Sequence, residues 1–300
     1  MTSIRMRLQN LMLRRIVRPW LARERDPHKI RDHALKFDHR QGAWPPRGCH
    51  VTPVEQVHWS ADWIVPESGH DDRVILYLHG GAFIAKTPRI HGAMLGKWVC
   101  RTGARAFMVD YRLAPDYPLP AANQDCEDAY RFLLEEGYDP AKMVIAGDSA
   151  GGALTLTTLL RIKKAGLPMP AGAVLLSPAT GLHESERTSA VTNDGRDPMF
   201  RAATLQNFWN MLGIEGAVGD DFHPIDADLE GLPPLHMEVG SSEVLLDDSR
   251  IFAERAKAAG VSVKLIITEN APHVFPVMKF PEARRAIERM TAFVNRVMSA

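Results

Sequence analysis

A chain of 300 residues, 45% apolar and 24% charged, has ordinary globular composition and room for one large core with an insertion. Its 36 Lys and Arg balance 36 Asp and Glu, so no net field draws nucleic acid, which is not expected as a partner. Cys49, Cys100 and Cys126 show no C-x-x-C spacing, which argues against a disulfide framework and a zinc site; they are expected as buried reduced thiols of a cytoplasmic protein.

Residues 1–25 hold seven arginines against Glu24 and place Ile4, Leu8, Leu11, Met12, Ile16 and Trp20 at spacings of three and four, an amphipathic helical pattern. Arg14 and Arg15 interrupt the apolar run, so no signal peptide is expected. A basic amphipathic helix can lie on an anionic membrane surface. The commoner outcome is a helix packed on its own protein, so membrane association is not expected. No window approaches the ~18 uncharged apolar residues of a spanning helix.

From residue 50 strand and helix patterns alternate. Val54 to Trp59 and Asp62 to Val65 read as edge strands, and Arg73 to Leu78 as the first buried one. A helix from Ile90 to Arg101, a strand from Ala104 to Asp110, a helix from Ala122 to Glu136 and a strand from Met143 to Ala146 follow. After a helix beginning near Ala153 come strands from Ala173 to Leu176 and Leu235 to Val239, a helix from Asp248 to Ala259, a strand from Val261 to Thr268 and a closing helix from Pro281. Eight strands in this rhythm predict an α/β architecture, a mainly parallel sheet with helices on both faces and ligands at the strands' carboxyl ends. The segment from His183 to Gly231, with Thr192-Asn193-Asp194-Gly195 turn chemistry and a helix from Ala203 to Leu212, reads as an insertion over the sheet's edge. An exposed edge strand or cap face could also support a homodimer.

The chemistry concentrates at strand ends. Gly147-Asp148-Ser149-Ala150-Gly151 is a G-x-S-x-G turn between a strand and a helix, a placement that lifts a serine hydroxyl above the sheet. His79-Gly80-Gly81-Ala82-Phe83 follows the first buried strand; its glycines bring backbone N–H groups near a ligand oxygen, so Gly80, Gly81 and Ala82, with Ala150, are the candidate oxyanion hole. A serine needs a base, and His273 stands just past the last strand, with His223 and His236 as rivals. Histidines such as His70 and His91, in surface connections, are expected to face solvent. For the acid, Glu243 lies in the loop after the Leu235 strand and is preferred; Asp247 is the alternative, although helix capping explains Asp247 and Asp248 without catalysis. Asp148, Tyr111, Arg112 and Asp125 are read as loop braces. Phe83, Met199, Phe200, Phe208, Trp209, Met211 and Leu212 are candidates to line an apolar acyl pocket.

These motifs, with Tyr111-Arg112-Leu113-Ala114-Pro115, Pro118-Leu119-Pro120-Ala121-Ala122 and the Gly240 to Ser249 loop before His273, resemble those of the hormone-sensitive lipase family of α/β-hydrolases from about residue 50 to the end. The resemblance implies an α/β-hydrolase domain over residues 46–300. Residues 1–45 and an insertion at about 183–220 would form a helical cap. It aligns Glu243 with the family's usual loop aspartate, a departure that keeps the carboxylate, and sets Ala82 where a third glycine is common. It implies a serine esterase, needing no metal or organic cofactor, that cleaves short- to medium-chain acyl esters of small molecules through Ser149, His273 and Glu243. Lactones, amides and acetyl groups are alternative substrates of the same triad. A noncatalytic ligand-binding receptor is the alternative on the same scaffold, disfavoured by the presence of His273.

Overall fold

The computed structural model describes residues 2–40, 43–70, 72–181, 183–213 and 219–299. Among the described residues eight strands make one sheet: β1 (Cys49–Glu55), β2 (Ser60–Pro66), β3 (Val74–Leu78), β4 (Arg105–Asp110), β5 (Met143–Asp148), β6 (Gly172–Leu176), β7 (Leu235–Gly240) and β8 (Val263–Thr268). Their spatial order is β1-β2-β4-β3-β5-β6-β7-β8; β2 runs antiparallel to both neighbours and every other pairing is parallel. This is the α/β-hydrolase architecture.

Alternation along β3 shows how the layers form. Val74, Leu76 and Leu78 join the core made with α5 (Leu119–Glu135), α6 (Ala150–Lys164) and α9 (Leu246–Ala258). Ile75 and Tyr77 face the opposite core, with α4 (Pro88–Thr102) and α10 (Pro281–Val297). Strands β3, β5, β6 and β7 are buried throughout. Each large aliphatic side chain there contributes roughly 1.5–3 kcal/mol by burial, which fixes the strand ends on which the site stands.

The first edge strand and one cysteine differ from expectation. The stretch from Val54 to Trp59 is not one strand: β1 ends at Glu55, Gln56 N–H donates to the Trp59 carbonyl at 2.9 Å, and Val57 at the turn is 90% exposed. Cys49 and Cys126 are buried, but Cys100 is exposed, its Sγ 3.7 Å from that of Cys49.

The N-terminal region forms α1 (Ile4–Met12), a π-helical turn (Leu13–Val17), α2 (Arg18–Arg23) and α3 (Pro27–Asp38). The insertion carries α7 (Ser189–Thr192) and α8 (Ala202–Leu212). Within the expected cap segments, residues 1, 41, 42 and 214–218 lie outside the described residues. The N-terminal helix packs on its own protein, as expected, but α1 and the π-turn dock by a different face from the one the spacing marks out. Met6 and Leu13 are the buried side chains, against Phe275, Met278 and Phe280, whereas Ile4, Leu8, Leu11, Met12 and Ile16 are exposed. Hydrogen bonding selects the docked side: Ser3 N and Oγ donate to Glu282, Asn10 Nδ2 to the Asn270 carbonyl, and Arg14 and Arg18 to the carbonyls of Arg196 and Asp197. No helix of the described residues is long and apolar enough to cross a membrane.

Candidate active site

Strand β5 passes into α6 through Ser149, whose backbone sits at φ 52°, ψ −116°. A Cβ on Gly147 would overlap the Gly151 backbone, and one on Gly151 would overlap the Leu78 carbonyl; glycine alone permits this turn against β3. Ser149 lines a cavity of about 970 Å³, and its N–H is bonded to the Leu176 carbonyl at 2.8 Å. Beneath it, Ala150 opens α6, where helix N–H groups have no intrahelical acceptor.

The loop after β3 bends with Gly81 at φ 131° and Ala82 at φ 55°, and a Cβ on Gly81 would overlap the Ala85 carbonyl. The N–H groups of Gly81 and Ala82 donate no hydrogen bond among the described residues, and both residues line the cavity. Gly80 differs from expectation. Its N–H donates to Asp148 Oδ1 at 2.8 Å, so it is committed to the protein and is not an oxyanion donor.

Asp148 is the hub beneath this loop. It also accepts from Tyr77 Oη at 2.6 Å and meets His91 Nε2 at 3.2 Å. Burial opposes its charge, yet His91, Tyr77 and Gly80 hold its carboxyl down at about 2. His91, expected in solvent, is buried. Burial opposes its imidazolium too, but Asp148 holds it above its ordinary value. Burial, aided by the His91 charge, pushes neighbouring His79 down to about 4, so that ring is neutral at pH 7. Tyr111 stacks on His79 at 4.3 Å and donates to its carbonyl, and Arg112 grips Asp125 through two nitrogens; these residues are braces.

His273 and Glu243 meet from the loops after β8 and β7. His273 Nδ1 lies 2.7 Å from Glu243 Oε2, and both residues are buried. His273 Nε2 is buried with no hydrogen-bond partner among the described residues, and the residue lines the same cavity as Ser149. Burial works against the imidazolium, but the charge and hydrogen bond of Glu243, with Asp197 and Asp148 behind, raise His273 above its ordinary value. Glu243 Oε1 accepts from Gly240 N–H at 2.5 Å and Ser177 Oγ at 2.8 Å.

The other named candidates are engaged elsewhere. Asp247 and Asp248 stand in the first turn of α9, as expected, and from there hold the insertion: Asp247 accepts from Thr188 Oγ1 and Ser189 N–H, each at 2.7 Å, and Asp248 pairs with Arg187. His236 pairs with buried Glu238, and His223 Nδ1 meets the Gly181 carbonyl. Two contributors were missed. Ser177 links Glu243 to Val274 N–H, and buried Asp197 accepts from Met199, Phe200 and Val244 N–H. Burial raises the Asp197 carboxyl despite those bonds. Neither carried a motif; a serine at a strand's end and an aspartate in an insertion are common.

Apolar side chains dominate the rest of the cavity. Met12, Ile16 and Trp20 come from the N-terminal helices, Ile30 and Phe37 from α3, and Met199 and Phe200 from the insertion. Phe200 packs edge-on against His273 at 5.0 Å. Leu205, Phe208, Trp209 and Leu212 form one face of α8 and line it with Phe83. Met211 does not: roughly a third of a turn off that face, it packs beside Ile30, Ile84 and Ala85.

Residues 75–277 match a family model described as the alpha/beta hydrolase fold. The chain is 36% identical over 277 residues to an acetyl-hydrolase of Streptomyces hygroscopicus, covering 89% of this chain and 90% of that protein. It is 35% identical over 232 residues to an esterase of Acinetobacter venetianus, covering 74% and 75%. A solved esterase from the bacterial hormone-sensitive lipase family superposes with a TM-score of 0.88 at 33% identity, covering 99% of each chain.

Proposed function

The chain belongs to the hormone-sensitive lipase family of α/β-hydrolases and is a hydrolase, and from that premise we propose that it cleaves short- to medium-chain acyl esters through an acyl-enzyme on Ser149. Ser149 Oγ attacks the ester carbonyl while His273 Nε2 takes its proton. Glu243 stabilises the imidazolium, and the N–H groups of Gly81, Ala82 and Ala150 receive the oxyanion. His273 then gives its proton to the departing alcohol. In the second half, His273 takes a proton from water, which attacks the acyl-enzyme; collapse of the tetrahedral adduct returns that proton to Ser149 and frees the acid.

One observation carries the proposal. A buried imidazole, locked by Glu243 at 2.7 Å, keeps an unpartnered Nε2 in the cavity that also holds a strained, half-buried serine. A binding protein has no need of that unpartnered buried nitrogen. The apolar walls suit an acyl chain, and the name of the Streptomyces relative favours a short one. The 970 Å³ volume leaves room for a bulkier alcohol portion. The test is a panel of p-nitrophenyl esters of rising chain length, with a lactone and an anilide alongside. Turnover highest for acetate to octanoate supports the proposal; a maximum on esters of longer acyl chains, on the anilide or on the lactone refutes the specificity.

A further inference from the structure

The exposed apolar stripe on α1 and the π-turn has no counterpart elsewhere among the described residues. Ile4, Leu8, Leu11, Met12 and Ile16 are 74%, 62%, 45%, 38% and 63% exposed, while Met6 and Leu13 on the opposite side anchor the helix. These five recur every three or four residues, so they form one ridge, roughly 20 Å long. Single exposed leucines need no explanation, but a continuous ridge on a helix docked by its other side does.

Charge identifies what fits it. Arg5, Arg7, Arg14 and Arg15 flank the ridge and are exposed, and no Asp or Glu occurs between Thr2 and Arg23. Arg5, Arg7 and Arg15 make no ion pair among the described residues. Long arginine stems can keep their guanidinium groups at headgroup level while the ridge enters the acyl boundary. A second copy suits this surface poorly: a twofold interface sets each patch against itself, bringing these cations together, and α1 with the π-turn carries no acid of its own to offset them.

The ridge also runs into the cavity. Met12 and Ile16 belong to both, and Lys97, an exposed cavity-lining residue on α4, adds positive charge at the same cavity. We propose that α1 and the following turn form an interfacial docking surface for anionic lipid layers, which brings the cavity's mouth against the lipid. Docking stands independently of the esterase mechanism. Delivery of lipid-dissolved esters to Ser149 rests on it.

The experiment sediments the full chain with sucrose-loaded vesicles of phosphatidylcholine, alone or with one part in three phosphatidylglycerol, at low and high salt. Binding is expected on the anionic vesicles, weakening with salt, and little on the neutral ones. Arg5→Gln/Arg7→Gln/Arg15→Gln should weaken binding about a hundredfold, each cation near such a surface being worth about fivefold. Ile4→Gln/Leu8→Gln/Leu11→Gln should weaken it at least tenfold. Neither triple variant touches the cavity, so both should keep wild-type circular dichroism and p-nitrophenyl acetate turnover. Equal binding of wild type and both variants, or no binding to anionic vesicles at low salt, overturns the proposal. So does a lipid-free dimer abolished by the apolar variant. Absence of ester turnover with intact vesicle binding would instead refute the catalytic mechanism and leave docking standing.

Discussion

Replacing Glu243 with glutamine removes the charge while keeping the side chain's size, and the surrounding donors dictate where the new amide group points. Gly240 N–H, 2.5 Å from Oε1, can only donate, so the amide oxygen must stay there, with Ser177 Oγ as its second donor. The amide NH2 is then forced to face His273 Nδ1, which in the wild type lies 2.7 Å from Oε2. Nδ1 must become the acceptor, and the neutral ring carries its proton on Nε2, the atom that has to take the Ser149 proton. Tautomer reversal of this kind lowers turnover about 10⁴-fold, or about 5 kcal/mol in the barrier. The assay is p-nitrophenyl butyrate hydrolysis by purified Glu243→Gln, with circular dichroism as the fold control. Asp247→Asn should stay within a few-fold of wild type, because Asp247 serves Thr188 and Ser189. A folded Glu243→Gln enzyme within tenfold of wild type would refute the assignment, and a collapse confined to Asp247→Asn would transfer the role.

Gly81→Ala should cut kcat about 10²–10³-fold, since the added Cβ overlaps the Ala85 carbonyl and moves an oxyanion donor; unchanged kcat in a folded variant would remove the loop from the mechanism. The acid limb of kcat/KM should have its midpoint above 6.5, because Glu243 raises His273 and only the neutral ring accepts a proton; a midpoint below 6.5 contradicts that environment. His91→Gln leaves Asp148 buried beside an uncharged partner and should destabilise the fold by on the order of 3–5 kcal/mol. Asp148, held near 2, contributes stability above its ordinary 3.8 that is lost as pH falls towards 2. His91, held above 6.5, contributes below that value and loses its share as pH rises through its raised value. The gap in Tm between wild type and variant should therefore be widest between pH 3.8 and 6.5, and thermal melts showing a gap that grows above neutrality would exclude the pair.

The sheet was legible in the sequence because buried parallel strands are short apolar runs set between helical periods, as β3, β5 and β6 show. Ser149 and the Gly81 loop were legible because their backbone conformations demand glycine at named positions. Glu243 and His273 emerged from loop position, but the sequence could not tell that Asp247 turns to the insertion, since that contact spans 58 residues. His91 was misplaced for a similar reason: its partner Asp148 is brought to it by the sheet. The N-terminal helix was recognised by its period but docked by the wrong face. Met6, Leu13 and Val17 form a second, shorter stripe, and the hydrogen bonds of Ser3, Asn10, Arg14 and Arg18 choose between the two. Periodicity counts apolar residues and does not register those bonds.

Intact-protein and peptide mass spectrometry after treatment with a fluorophosphonate tests the central claim most directly, because covalent capture requires a nucleophile, its base and the oxyanion donors together. A single phosphonyl adduct on the Ser149 peptide, forming in step with loss of p-nitrophenyl butyrate hydrolysis and absent from Ser149→Ala and strongly slowed in His273→Ala, is the expected result. Full loss of activity with the adduct on another residue, or undiminished hydrolysis by Ser149→Ala, would contradict it.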